Sequence, residues 1–117
     1  MKKTYNIITV LAIAFICTSC NSTQNLYSWY NYEDATYQYS KKQTEELQAK
    51  VLEQYKKITE NQKGVRGVVP PGMYAEYGYL LCKSGKKTEG LGFLKKEIEL
   101  YPESKAFISR IIKQFEK

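Results

Sequence analysis

The 117-residue chain contains no histidine. That removes the commonest general base, the Ser–His and Cys–His nucleophile pairs, and most catalytic zinc sites. Cysteine is scarce, with only Cys17, Cys20 and Cys82. Glycine never clusters into a phosphate-cradling motif, since Gly64, Gly67 and Gly72 fall at loop positions. No stretch alternates apolar and polar with a period of two, so no strand is expected. Apolar runs are short as well. The longest, Ile7 to Ile16, is about half the length that a bilayer-spanning helix requires. The acidic residues are interspersed with lysines on predicted helix faces. The pairs Glu45-Glu46 and Glu97/Glu99 are therefore expected to be ordinary solvated carboxylates. Nothing in this inventory points to an enzyme, a metal site or a small-molecule substrate.

What is present begins at the N-terminus. Lys2-Lys3, the short apolar run and the small residues Thr18-Ser19 form the pattern of an export signal cut before residue 20. Cys17-Thr18-Ser19-Cys20 resembles the lipobox of bacterial lipoprotein precursors in its last three positions and departs from it at Cys17, where leucine is usual. The resemblance implies a diacylglycerol on the Cys20 sulfur and an acyl chain such as palmitate on the new amino group. No other cofactor is expected. One acyl chain binds a bilayer marginally, and each buried CH₂ adds about 0.8 kcal/mol, so two or three chains hold a protein there durably. The competing reading is an ordinary secretory signal, which leaves Cys20 as a free thiol. Asn21 follows the cysteine, and the first acidic residue is Glu33. By resemblance to Gram-negative lipoproteins, the lack of an adjacent aspartate implies the outer membrane, facing the periplasm, with the inner membrane as the alternative.

Removal of residues 1–19 leaves a single small domain and lowers the side-chain charge from +6 to +4 by taking Lys2 and Lys3. Cys82 then has no disulfide partner within the chain and is expected to be buried. The mild basicity suits an anionic headgroup or glycan surface. Nucleic acid is not an expected partner of an exported protein.

Residues 20–31 read as a lipidated tether and an aromatic segment, and 32–117 as a helical domain. Tyr27, Trp29, Tyr30, Tyr32, Tyr37 and Tyr39 place six large rings within thirteen residues. Two readings stand side by side. The rings pack on the first helices, or Tyr27, Trp29, Tyr30 and Tyr32 form a partner-binding surface. Beyond them the spacing predicts a helix over 40–63, with Ser40 and Gln43 as a capping box and Leu47, Val51, Leu52, Tyr55 and Ile58 on one face. Gly64 ends it. Further helices are expected over 73–83, 88–100 and about 103–115, the last burying Phe107, Ile108, Ile111, Ile112 and Phe115. The fold class is all-α, a small helical stack.

Residues 71–104 resemble a tetratricopeptide repeat. Gly78 stands at the small position of the first helix and Gly90 at that of the second, with Leu81 and Leu94 at packing positions and Pro102 as the terminator. Tyr74, Tyr77 and Glu97 depart from the pattern. A plain αα-hairpin is the other reading. The mature chain as a whole is also similar to a family of small bacterial lipoproteins of unknown function. The likeness lies in Tyr27-Ser28-Trp29-Tyr30-Asn31-Tyr32, Tyr37-Gln38-Tyr39, Val69-Pro70-Pro71-Gly72, Gly78-Tyr79-Leu80 and Tyr101-Pro102-Glu103-Ser104. Members are typically encoded beside a lipoprotein resembling the curli secretion channel. The resemblance implies a non-enzymatic accessory or assembly role that binds other envelope lipoproteins. An envelope-spacing, peptidoglycan-contacting lipoprotein is the alternative.

Overall fold

Helical periodicity carries through to the structure. The computed structural model describes residues 1–17 and 23–117, and its described residues contain six α-helices and no strand. Cys20, the expected lipid site, lies outside them. Helix α1 (Lys2–Cys17) exposes Ile7, Ile8, Val10 and Leu11. No described helix is long and apolar enough to cross a membrane.

The domain is a stack in which each helix packs on the next: α2 (Tyr32–Lys41), α3 (Glu45–Glu60), α4 (Met73–Lys83), α5 (Lys87–Leu100) and α6 (Lys105–Glu116). The single helix expected over 40–63 is in fact two. Ser40 lies in the last turn of α2, its hydroxyl donating to the Tyr37 carbonyl at 2.7 Å, so it caps nothing. The cap is Thr44, whose Oγ1 accepts from the Leu47 N–H at 3.3 Å, with Glu45 and Glu46 favourably placed in the first turn. Tertiary burial sets the break. By folding back on α3, α2 brings Ala35 into the same core as Val51 and Tyr55 and lays Tyr39 against it. One continuous helix would leave those residues in water. On α3, Glu53 and Lys57 close an ion pair at 2.7 Å, whereas Glu46 and Lys50, also four residues apart, form none. Nor does Gly64 end α3, which stops at Glu60, four residues earlier; Asn61 is its C-cap.

Helix α4 has the expected bounds, because glycines set both ends. Gly72 enters with φ +91°, and Gly85 leaves with φ +89°. At the exit the Lys86 N–H reaches the Leu81 carbonyl at 2.9 Å and the Gly85 N–H reaches Cys82 at 3.3 Å, the bond pair of a Schellman motif. Helices α4 and α5 meet at Gly78 and Gly90. A Cβ on Gly78 would lie 2.6 Å from the Gly90 carbonyl oxygen, and one on Gly90 would lie 2.5 Å from that of Gly78. Only hydrogen fits at either position.

The core lies in two parts. Val51, Tyr55, Ile58, Met73, Tyr77 and Leu81 fill the space between α3 and α4. Cys82, Leu94, Ile108 and Ile112 join α4, α5 and α6. Phe107 departs from expectation, being 66% exposed. The stripe that α6 buries is centred on Ile108 and Ile112, with Ile111 and Phe115 on its flank, and none of the described helices covers the opposite side.

Candidate functional site

The aromatic segment is seated on the fold by its backbone. The Val65 N–H donates to the Asn25 carbonyl at 3.1 Å and the Arg66 N–H to Leu26 at 3.2 Å. Gln62 grips Ser28 from both sides, with Oε1 accepting its N–H at 2.5 Å and Nε2 donating to its carbonyl at 3.4 Å. The Lys63 N–H reaches the Ser28 hydroxyl at 3.2 Å. At the far end the Asn31 N–H donates to Oε1 of Gln54 at 3.1 Å, and the Tyr30 hydroxyl donates to the Asn61 carbonyl. Gly64 makes this possible. A Cβ there would stand 2.2 Å from the Leu26 carbonyl oxygen and 2.3 Å from Cα of Tyr27. Its purpose is close approach of two backbones, not helix termination.

The six rings divide between the two roles open in the sequence. Tyr27 is half-buried, its ring 6.0 Å from that of Trp29 and its hydroxyl accepting from Nη1 of Arg66 at 3.1 Å. Tyr32 packs inward, 5.7 Å from both Trp29 and Tyr55. From Tyr55 the contacts run on through Tyr77 to Phe93, so a line of rings joins the segment to α5. Trp29 and Tyr30, by contrast, are 42% and 44% exposed. Tyr30 is also the one non-glycine residue with positive φ among the described residues, at +50°. For a bulky residue that conformation is costly and persists only where its surroundings impose it. Here the bonds at Asn31 and Asn61 impose it, and they hold the ring toward solvent. Tyr37 is exposed, with Nζ of Lys41 4.3 Å over its ring, and Tyr39 is half-buried.

Beneath the segment, Oε2 of Glu76 accepts from the hydroxyls of Tyr32 at 2.7 Å and Tyr55 at 2.8 Å. Burial, reinforced by the Glu76 carboxylate, pushes the Tyr32 phenol up to about 12, and Tyr55 is raised further for the same reasons. Both stay protonated donors at neutral pH. They tie α2 and α3 to α4 beside a cleft of about 330 Å³ lined by Tyr32, Tyr39, Tyr55, Glu76 and Tyr79.

Elsewhere the reactive side chains are quiet. Cys82 is buried as expected. Burial pushes its thiol up against the opposing pull of Lys87, and its Sγ approaches the Lys87 carbonyl at 3.7 Å. Among the described residues no grouping of three His, Cys, Asp or Glu is placed to hold a metal ion. Glu45, Glu46 and Glu99 are exposed as expected, but Glu97 is not solvated. It is 2% exposed, and its Oε1 accepts the Gly72 N–H at 2.6 Å. The carboxylate serves as a tertiary cap at the start of α4, where negative charge is favoured. The anchors Gln54, Gln62 and Arg66 were not legible as a set in the sequence. Gln54 alone carries a signal, as a polar residue on the buried stripe with Val51, Tyr55 and Ile58.

No curated protein and no solved structure shows significant similarity to this chain. Residues 26–111, which take in the seated aromatic segment, helices α2 to α5 and half of α6, match the model of a family described as a domain of unknown function, DUF4810, and the chain belongs to that family.

Proposed function

We propose that this protein is a lipid-anchored interaction module, held by acyl chains on Cys20 at the periplasmic face of the outer membrane, where it serves as a non-enzymatic accessory subunit binding other envelope lipoproteins. The observation that carries the reading is the pinned presentation of Trp29 and Tyr30. A backbone strained at Tyr30 and held by the Gln54 side chain of α3 and the Asn61 carbonyl after it keeps two large rings partly in solvent. Such rings are the residues most enriched at the energetic centres of protein interfaces. Six residues separate Cys20 from Tyr27, and the seven Cα–Cα steps span at most about 25 Å, so the surface operates close to the bilayer.

Two further features favour a scaffold over a catalyst. The α4–α5 hairpin has glycine at both small positions of a tetratricopeptide-like unit, and stacks of such units bind partners along their surfaces. The likeness to lipoproteins encoded beside a curli-channel-like protein supports a secretion-channel-like complex as the assembly served.

Crosslinked co-purification from native membranes tests the reading. Trp29→Ala, and separately Tyr30→Ala, is expected to weaken partner recovery by about 2 kcal/mol, roughly thirtyfold in affinity, with helicity unchanged. Recovery equal to wild type overturns the contact role. Binding to purified sacculi that salt removes, with no protein partner recovered, supports a peptidoglycan-contacting lipoprotein instead.

A further inference from the structure

A second cleft, of about 400 Å³, lies where the start of α4, the end of α5 and the turn Pro102–Ser104 into α6 come together. Glu97 lines it. One carboxylate oxygen of Glu97 is used on the Gly72 N–H, while Oε2 is buried and has no hydrogen-bond partner. A buried carboxylate oxygen without a donor is strongly unfavourable, and native structures rarely leave one so.

The side-chain donors that line the cleft are already committed. The Tyr101 hydroxyl donates to the Val69 carbonyl at 2.5 Å, and the Ser104 hydroxyl donates to the Tyr101 carbonyl at 2.7 Å. Pro71 has no N–H. The other polar side chains of the lining, Glu76 and Glu103, are acidic and add negative potential. The remaining walls, Pro71, Ala75, Phe107 and Ile108, are apolar, and the exposed ring of Phe107 stands at the cleft without a covering helix.

We infer that this cleft opens to receive an arginine side chain of a partner protein, its guanidinium donating to Oε2 of Glu97 and its methylene stem lying along Pro71, Ala75 and Ile108. Charge complementarity selects a cation, because three carboxylates line one small cleft and no metal-holding grouping exists among the described residues. A guanidinium suits it better than an ammonium. Its planar fork supplies several donors to spread carboxylates, and its face stacks on an aromatic ring such as Phe107. That the arginine belongs to a partner rests on the interaction-module reading, whereas the chemistry of the cleft does not.

The test is titration of the ¹⁵N-labelled full chain in detergent micelles with acetyl-arginine methylamide and its neutral isostere acetyl-citrulline methylamide. The amides of Gly72, Ala75 and Phe107 are expected to shift saturably with the arginine probe, at roughly tenfold or greater advantage over citrulline. Glu97→Gln keeps an oxygen for the Gly72 N–H and is expected to remove that advantage. Glu103→Gln, which alters no cap, is expected to weaken binding several-fold, so the proposal stays testable if the Glu97 variant fails to fold. Equal shifts with both probes, or unchanged binding in Glu97→Gln, would mean that water alone satisfies Oε2 and would overturn the site. Either failure leaves the Trp29 experiment untouched, since neither Trp29 nor Tyr30 lines this cleft.

Discussion

Replacing Gly78 with alanine is expected to destabilise the helical domain by about 2–4 kcal/mol, lowering its melting temperature by roughly 10–20 °C. The added methyl group would meet the Gly90 carbonyl oxygen at 2.6 Å and the Leu94 amide nitrogen at 2.9 Å. Both are backbone atoms of α5, so no side-chain rotation relieves the clash and the two helices must part. That separation loosens Leu94, which is completely buried, and with it the contacts to Ile108 and Ile112. Gly92 is the control. It lies two residues after Gly90 in the same helix, and a Cβ there meets nothing within 4 Å. Gly92→Ala should stabilise by about 0.5–1 kcal/mol, because alanine gives up less chain entropy on folding. Thermal melts followed by circular dichroism compare the two directly. Similar shifts would show that α4 and α5 do not meet at these glycines.

A Gly64→Val substitution is expected to release the aromatic segment while sparing the helices. Its β-carbon would stand within 2.3 Å of the Leu26–Tyr27 backbone, and again the obstacle is main chain. The bonds of Val65 and Arg66 to Asn25 and Leu26, and the grip of Gln62 on Ser28, are the contacts that must go. Each contributes about 1 kcal/mol, so local opening becomes roughly a hundredfold or more easier. Hydrogen exchange at the Val65 and Arg66 amides should accelerate by that factor. Trp29 fluorescence should move to longer wavelength, and a protease should cut near Tyr27–Tyr30. The melting temperature should change much less than in Gly78→Ala, because the segment lies outside both core clusters except through Tyr32. Unchanged exchange at Val65 and Arg66 would contradict the seating of the segment.

How much of this was legible in the sequence depends on whether a feature is local. Helix α4 was readable to the residue because Gly72 and Gly85 adopt conformations that few other residues tolerate, and glycine declares that in the sequence. The amphipathic stripes of α3 and α6 were readable from spacing alone. The corner at Lys42–Thr44 was not. No glycine or proline marks it, and it exists because Ala35 and Tyr39 gain burial against α3, a contact between residues distant in the chain. Phe107 misled for the complementary reason: an apolar residue on the edge of a stripe is buried only if a neighbour covers it, and none does.

The same divide runs through the candidate sites. Trp29 and Tyr30 stood out by composition, but the division of labour among the rings came from the Gln54 and Gln62 side chains and the Asn61 carbonyl, of which only Gln54 leaves a trace in the sequence. Glu97 looked like one more glutamate among lysines. It does fall on the stripe of Gly90 and Leu94, but its bond to the Gly72 N–H, 25 residues earlier, is one that no periodicity reports.

Acylation of Cys20 is tested most directly by intact mass spectrometry of the protein recovered from its native cell envelope. The expected species begins at Cys20 and carries a diacylglycerol on sulfur together with an amide-linked acyl chain. A mature terminus bearing no acyl group, in a protein recovered from the soluble fraction, would contradict the anchored module.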